Sequence, residues 1–196
     1  HTKNGQHFGI AIFSAKPIVD KGLVPFPGDE NNSCIWADIK MLDDTVRIYS
    51  AHLASIHFGR ADYQFVHDLD DGVATDSLRT GGGRIISRLK DAFIRRADQV
   101  ERIRDHMRAC PHPVVFCSDM NDTPMSYAYH HLDGDLVDAF EESGRGLGHT
   151  YIGAFPSFRI DHIMHSPSLE ASGFKTLPDE LSDHRPIMCW IGTSEE

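Results

Sequence analysis

The feature that most constrains the fold is a pair of alternating runs around a short acidic step. From Cys34 to Met41, Ile35, Ala37, Ile39 and Met41 fall on one side and Trp36, Asp38 and Lys40 on the other. Asp43 and Asp44 follow, then VRIYSAHL from Val46 to Leu53. A side-chain period of two belongs to a strand, so the two runs and the turn predict an antiparallel hairpin. A different period follows. Ile85, Leu89, Phe93, Ala97, Val100, Ile103 and Met107 recur every three to four residues and predict an amphipathic helix from about Arg84 to Ala109. Pro111 and Pro113 end it, and VVFC, Val114 to Cys117, has the character of a strand buried on both faces.

Further strands are expected at Phe8–Phe13 (FGIAIF), Thr150–Gly153, Arg159–His165 and Pro186–Ile191. Thr123 before Pro124 predicts an N-cap with proline at the first helical position, opening a short helix through Leu132. Residues 54–83, rich in Asp, Gly and His, read as a long irregular connection of the kind that carries function or moves. With 40% hydrophobic and 24% charged residues in 196, the chain suits one globular domain, and no run nears the ~18 apolar residues of a membrane span. As given it is expected to be soluble. FGIAIF arrives almost at once, with no turn or cap before it, as it would after a cut inside a larger protein. Targeting or membrane segments could therefore lie upstream, and the compartment is open. Cys34, Cys110, Cys117 and Cys189 show no C-x-x-C spacing and are expected to be free thiols, mostly buried. A net charge of −10 disfavours strong duplex DNA binding, which calls for a basic face.

Four polar clusters stand at the ends of expected strands: SAHL (Ser50–Leu53), CSDMND (Cys117–Asp122), RIDHI (Arg159–Ile163) and LSDHRPI (Leu181–Ile187). Each alone has a plainer reading, as a strand end, a turn former or a solvated loop. In this order, together with GIAIFSAKPI (Gly9–Ile18) and the Arg96-Ala97-Asp98-Gln99 step, they resemble the endonuclease/exonuclease/phosphatase superfamily. That group includes deoxyribonuclease I-like nucleases, inositol-polyphosphate phosphatases, neutral sphingomyelinases and deadenylases. The resemblance covers essentially the whole chain, residues 1–196 as one partial catalytic domain, and SDHRPI is its most specific piece.

The resemblance implies an α/β (α+β) fold: a two-sheet β-sandwich flanked by helices, deoxyribonuclease I-like and truncated at its N-terminus. It implies a hydrolase that splits a phosphodiester with activated water and Mg²⁺ or Mn²⁺. Such a reaction groups hard oxygen ligands for the cation with imidazoles that donate or move protons near neutral pH. Carried over, Asp119 orients or deprotonates the water and Asn121 holds that water or a phosphoryl oxygen. Asp183 is a metal ligand. His184 faces the phosphate with Asp161 on its other ring nitrogen, and His52 contacts the scissile phosphate or assists the leaving group. Whether His184 or Asp119 is the base stays open. His57, His67, His106, His112, His130, His131, His149 and His165 show no metal-ligand spacing, and Arg145 and Arg159 are as readily salt-bridge partners as phosphate contacts.

Family members also carry, near their N-terminus, an Asn at the end of the first strand and a metal-binding Glu in a "QE" step. Neither has a counterpart here, which implies an incomplete cation site, low activity, and an opened sheet edge free for self-association. A non-catalytic binding fragment of the same fold is therefore a competing expectation. A calcineurin-like metallophosphoesterase is another, although SDMND lacks that class's spacing. Substrates from nucleic acid to lipid or small phosphate ester remain open.

Overall fold

A computed structural model describes residues 9–29, 31–42, 44–56, 59, 62, 77–153 and 158–193. The expected hairpin is present, with strands β2 (Ser33–Lys40) and β3 (Thr45–His52) antiparallel. It is preceded by β1 (Ile18–Val24), an edge strand whose residues are mostly exposed. That exposure is why no alternation announced it. Helix α1 (Ser77–Arg108) then crosses over to β4 (Val114–Asp119), which lies parallel to β3. After β4 come α2 (Tyr127–Asp133), β5 (Val137–Asp138), α3 (Ala139–Ser143) and β6 (Asp161–His165). The main sheet runs β1-β2-β3-β4-β6-β5. Strands β7 (Leu169–Thr176) and β8 (Ile187–Thr193) pair as a second sheet.

Alternation sorts the central strands between two cores. Tyr49, Phe116 and Met164 pack with Val100 and Ile103 of α1 on one face of the main sheet. Val115 and Ile163, with Val46, Ile48 and Cys117, pack on the other against Leu169, Ala171 and Phe174. The architecture is the expected two-sheet sandwich with helices outside. Bidentate pairing of Arg47 to Asp38, at 2.6 and 2.8 Å, locks β2 to β3, with the Arg47 guanidinium 3.8 Å over the Trp36 ring. All four cysteines are free; Cys34 is buried and the others half-buried. No helix among the described residues is long and apolar enough to cross a membrane.

Several local expectations are corrected. Phe8 lies outside the described residues, and residues 10–13 form no strand: Phe13 is 94% exposed. Gly9 makes only an isolated bridge, and the residues after it are not paired into a strand. Ile12 and Phe13 instead border an open apolar cleft of about 570 Å³ between the sheets. Residues 150–153 contribute one isolated bridge, Tyr151 to His184, rather than a strand. The short helix starts at N-cap Ser126, whose hydroxyl accepts from the Tyr129 amide. Thr123 and Ser126 form a turn before it. Much of the expected loop over 54–83 lies outside the described residues, but its end is helical. The buried stripe of α1 differs too: Ala92, Arg96, Gln99, Val100 and Ile103 face inward, while Phe93 is 49% exposed.

Helix α1 begins at Ser77, earlier than its apolar pattern, and runs through three glycines, Gly81 to Gly83. A Cβ at Gly82 or Gly83 would meet nothing within 4 Å, and neither residue has a positive φ. No packing or backbone reason for glycine is present there, and a glycine in a helix interior costs about 0.5–1 kcal/mol relative to alanine. Gly82→Ala and Gly83→Ala should each raise stability by about that amount, read as an upward shift of the urea midpoint at constant slope. Destabilisation by either would show that the helix is not formed there in solution.

Candidate active site

Strand register brings the site together. His52 ends β3, Asp119 ends β4 and Asp161 begins β6, and in the sheet His52 lies opposite Asp119, which lies opposite Asp161. The three share the face of the sheet that carries Ile48, Val115 and Ile163, so they form a row at the rim of the cleft between the sheets. His184 reaches the row from the β7–β8 connection. That connection is tied down by bonds from the Ile152 amide to the Asp183 carbonyl and from the Arg185 amide to the Thr150 carbonyl, each 2.8 Å.

His184 Nδ1 lies 2.8 Å from Asp161 Oδ2, and its Nε2 lies 3.9 Å from Asp119 Oδ2. His52 Nε2 stands 3.7 Å from the same Asp119 oxygen. The other Asp119 oxygen accepts from the Asn121 amide at 2.9 Å. Asn121 sits in the left-handed region, φ 51°, which Asn tolerates better than most residues. Its side-chain amide donates to the Leu53 carbonyl at 3.2 Å, so it holds two strand ends together. Asp183 does not join the row. It is exposed, because the Ser182 hydroxyl turns the chain so that His184 points inward and its predecessor outward. A cavity of about 350 Å³ opens beside His52, Asp119 and Asp161.

The charges in this row constrain one another. Burial and then the Asp161 carboxylate hold Asp119 above the usual carboxylate range, against the opposing pull of His184, His52 and the Asn121 amide. The bond to Asp161 raises His184 to about 9, despite burial, with further help from the charges of Asp119 and Asp183. Among the described residues, Asp119, Asp161 and His184 form the group whose ligand atoms all lie within 4.8 Å of one another. Two carboxylates that repel each other across a small gap supply hard oxygen donors, and a divalent cation would relieve that repulsion. The oxygens of Asp119 and Asp161 suit such an ion, whereas His184, protonated through its bond to Asp161, would not be a ligand in that state.

Residues that sequence reading gave no role hold this geometry. Arg96, 1% exposed, bonds Asp122 through Nε at 2.8 Å and the Ala54 carbonyl through Nη1 at 2.7 Å. Gln99 accepts from the Ala54 amide and donates to Asp29. The Thr150 hydroxyl oxygen accepts from the amides of Ile160 and Asp161, seating the start of β6. Two polar residues four apart or fewer on the inward face of an amphipathic helix were the available signal. Arg159 is buried against Asp138 and so is withdrawn from phosphate, while Arg145 is exposed. His165 is buried and bonded to Glu142, and His106 bonds the Tyr49 hydroxyl. His57 and His67 lie outside the described residues.

Two predictions follow from these contacts. Arg96→Met leaves the buried Asp122 carboxylate without its cation and should cost roughly 3–5 kcal/mol in urea unfolding, most of it recovered in Arg96→Met/Asp122→Leu. No recovery in the double variant would mean that the loss is one of packing rather than charge. Separately, a folded-state pKa raised to about 9 makes His184 a stabilising cation below the ordinary imidazole value of 6.5, and that stability is lost as pH rises through about 9. In EDTA, stability should therefore fall between pH 6.5 and 9.5, and Asp161→Asn should flatten that fall. An imidazole NMR titration of His184 with a midpoint near 6.5 would contradict it.

Residues 2–184 match the Endonuclease/Exonuclease/phosphatase family. No curated protein matches the chain's sequence. Among solved structures, a mannosyl-6-phosphatase of Bacteroides thetaiotaomicron is similar at 18% identity and TM-score 0.56, over 90% of this chain and 67% of that one. A D. rerio TDP2 complexed with single strand DNA product is similar at 15% identity and TM-score 0.60, over 90% and 68%. The catalytic domain of human Nocturnin with bound sulfate is similar at 14% and 0.57, over 91% and 60%. At such identities the likeness is one of fold. The family match covers nearly the whole sequence and sets aside the calcineurin-like alternative: the chain belongs to the endonuclease/exonuclease/phosphatase family.

Proposed function

We propose that the cleft hydrolyses a phosphoester, a phosphodiester by preference, with a water activated at Asp119. The observation that carries this reading is the row His52–Asp119–Asp161 with His184 closing onto it from the opposite sheet. Asp161 fixes the direction of His184 and favours its protonated form, so that an imidazolium Nε2–H is aimed into the cleft at a phosphoryl oxygen. Asp119 orients the attacking water and accepts its proton. His52, on the other side of Asp119, protonates or hydrogen-bonds the departing oxygen. Mg²⁺ or Mn²⁺, held by oxygens of Asp119 and Asp161, would neutralise phosphate charge when bound. Asp183, on the exposed rim, is kept as a further ligand candidate from the opposite side.

The acidity of the row and of the chain as a whole favours small or singly charged phosphoesters over a duplex, whose many phosphates would face carboxylates. A second reading, a phosphate-holding domain without turnover, is favoured by one observation: the Asp183 carboxylate stands outside the group that could share an ion. Calorimetric titration with Mn²⁺ separates the two, since a working site binds the ion and loses it in Asp119→Asn.

Hydrolysis of bis-p-nitrophenyl phosphate should require Mg²⁺ or Mn²⁺ and stop in EDTA. Asp119→Asn and His184→Gln should each lower kcat/KM by about 10²–10⁴-fold with the fold intact by circular dichroism. An Asp119→Asn chain as active as its parent would remove the reading.

A further inference from the structure

A second cavity adjoins the row and has a different chemistry. It measures about 420 Å³ and is lined by Leu89 and Phe93 of α1, Ile56, Asn121, Tyr151, Phe158 and neighbouring residues. Two of its aromatic rings are conspicuous for their position: Phe93 is 49% and Phe158 48% exposed. Phe93 falls within the apolar period of α1, yet the helix turns it away from the core and seats Arg96 inward instead. The Arg96 guanidinium carbon lies 4.9 Å from the centroid of the Phe93 ring. Burying a ring is worth roughly 1.5–3 kcal/mol, so two phenyl rings left half in water beside a cavity mark a surface suited to an apolar occupant.

Two residues of the cavity's wall touch the catalytic row. Asn121 lines it and, through its amide, holds Asp119 at 2.9 Å. Tyr151 lines it and sets its ring edge-on to the His184 imidazole, with centroids 5.4 Å apart at 76°. Tyr151 thus stands between His184 and the cavity that Phe93 and Phe158 line. On the polar side of the wall, Asp122 is bonded to Arg96 Nε and the Asn121 side-chain amide to the Leu53 carbonyl, while Arg96 Nη2 is buried with no hydrogen-bond partner among the described residues. A flat ring would find aromatic faces.

We propose that this cavity is a substituent pocket that selects phosphoesters carrying a planar aromatic group next to the phosphate, either an aryl ring or a nucleobase. The assignment rests on the phosphoesterase reading for the position of the phosphate, but its chemistry is tested by binding and does not need turnover. Phe93 and Phe158 are specificity-determining residues in this account, and Tyr151 is the wall shared with the row.

The test is calorimetry on the full 196-residue chain with Mn²⁺, titrating inorganic phosphate, methyl phosphate, phenyl phosphate and adenosine 5′-monophosphate. Phenyl phosphate or the nucleotide should bind at least tenfold more tightly than methyl phosphate, and whichever is tighter assigns the ring. Phe158→Ala and Phe93→Ala, both at half-exposed positions and checked for an unchanged melting temperature, should each bring that ratio down toward one. Equal affinities for phenyl and methyl phosphate, or a ratio that neither variant moves, would overturn the pocket. Benzyl alcohol, followed by NMR at the Phe93 and Phe158 ring protons, covers the remaining case. If no phosphate binds but benzyl alcohol shifts those protons, the phosphoesterase reading fails and the apolar pocket stands. If it shifts neither ring, the pocket fails as well.

Discussion

The geometry of the cleft depends on one buried cation. Arg96 enters from α1 and joins two segments that follow different strands: the Ala54 carbonyl just beyond β3 and the Asp122 carboxylate just beyond β4. Burial pulls the guanidinium down and the Asp122 carboxyl up, so desolvation outweighs the attraction between them in both shifts. Such a pair adds little to stability by itself, and a well-packed apolar pair would serve a core as well. What it supplies is direction. An apolar contact fixes a distance loosely, whereas a guanidinium with two committed donors fixes where two loops stand relative to one another. Because β3 and β4 are parallel, the chain leaves both at the same end of the sheet, and a single helix residue can reach both exits.

The reactive row shows a related economy of charge. Asp119 and His184 both have their pKa values raised, one chiefly by burial and the other chiefly by Asp161. Without a metal ion, the imidazolium is the positive charge that keeps two close carboxylates tolerable. A phosphate entering beside them brings more negative charge, which only added positive charge can offset. The same arrangement that makes the row reactive therefore ties its occupancy by a phosphoester to cation binding.

How much of this could be read from residues alone differs by element. The β2–β3 hairpin, the strand VVFC and the helix declared themselves because each buries one face, or both, and burial imposes a period. Strand β1 did not: it is an edge with most side chains in water, and nothing forces IVDKGLV to alternate. The run FGIAIF misled for the converse reason. Its apolar content is real, but a strand needs continuous backbone pairing as well as an apolar surface, and residues 10–13 are not paired into one. At the site, His52, Asp119, Asp161, Asp183 and His184 stood out as polar residues at strand ends with roles given by the family resemblance, but not which of Asp183 and His184 would lie closer to the row. Which of two adjacent side chains turns inward is decided by the Ser182 turn, a three-dimensional fact. Arg96 and Gln99 stood out by their pattern, but their partners, Asp122 and Ala54, lie far away in sequence.

Register gives the row its sharpest constraint. His52, Asp119 and Asp161 lie abreast only because β3, β4 and β6 are paired with His52 opposite Asp119 and Asp119 opposite Asp161. A slip of one residue in β4 would turn Asp119 toward α1 and Val115 out of the inter-sheet core, because the side-chain period is two. Catalytic geometry and core packing thus rest on the same ladder of backbone bonds. Tyr49 and Phe116 on the helix face and Ile48 and Val115 on the other all resist that slip at once. The central strands are accordingly the part of the molecule least free to vary, and the parts left to tune what enters the cleft are the segments that border it, the outer turn of α1 at Phe93 and the approach to β6 at Phe158.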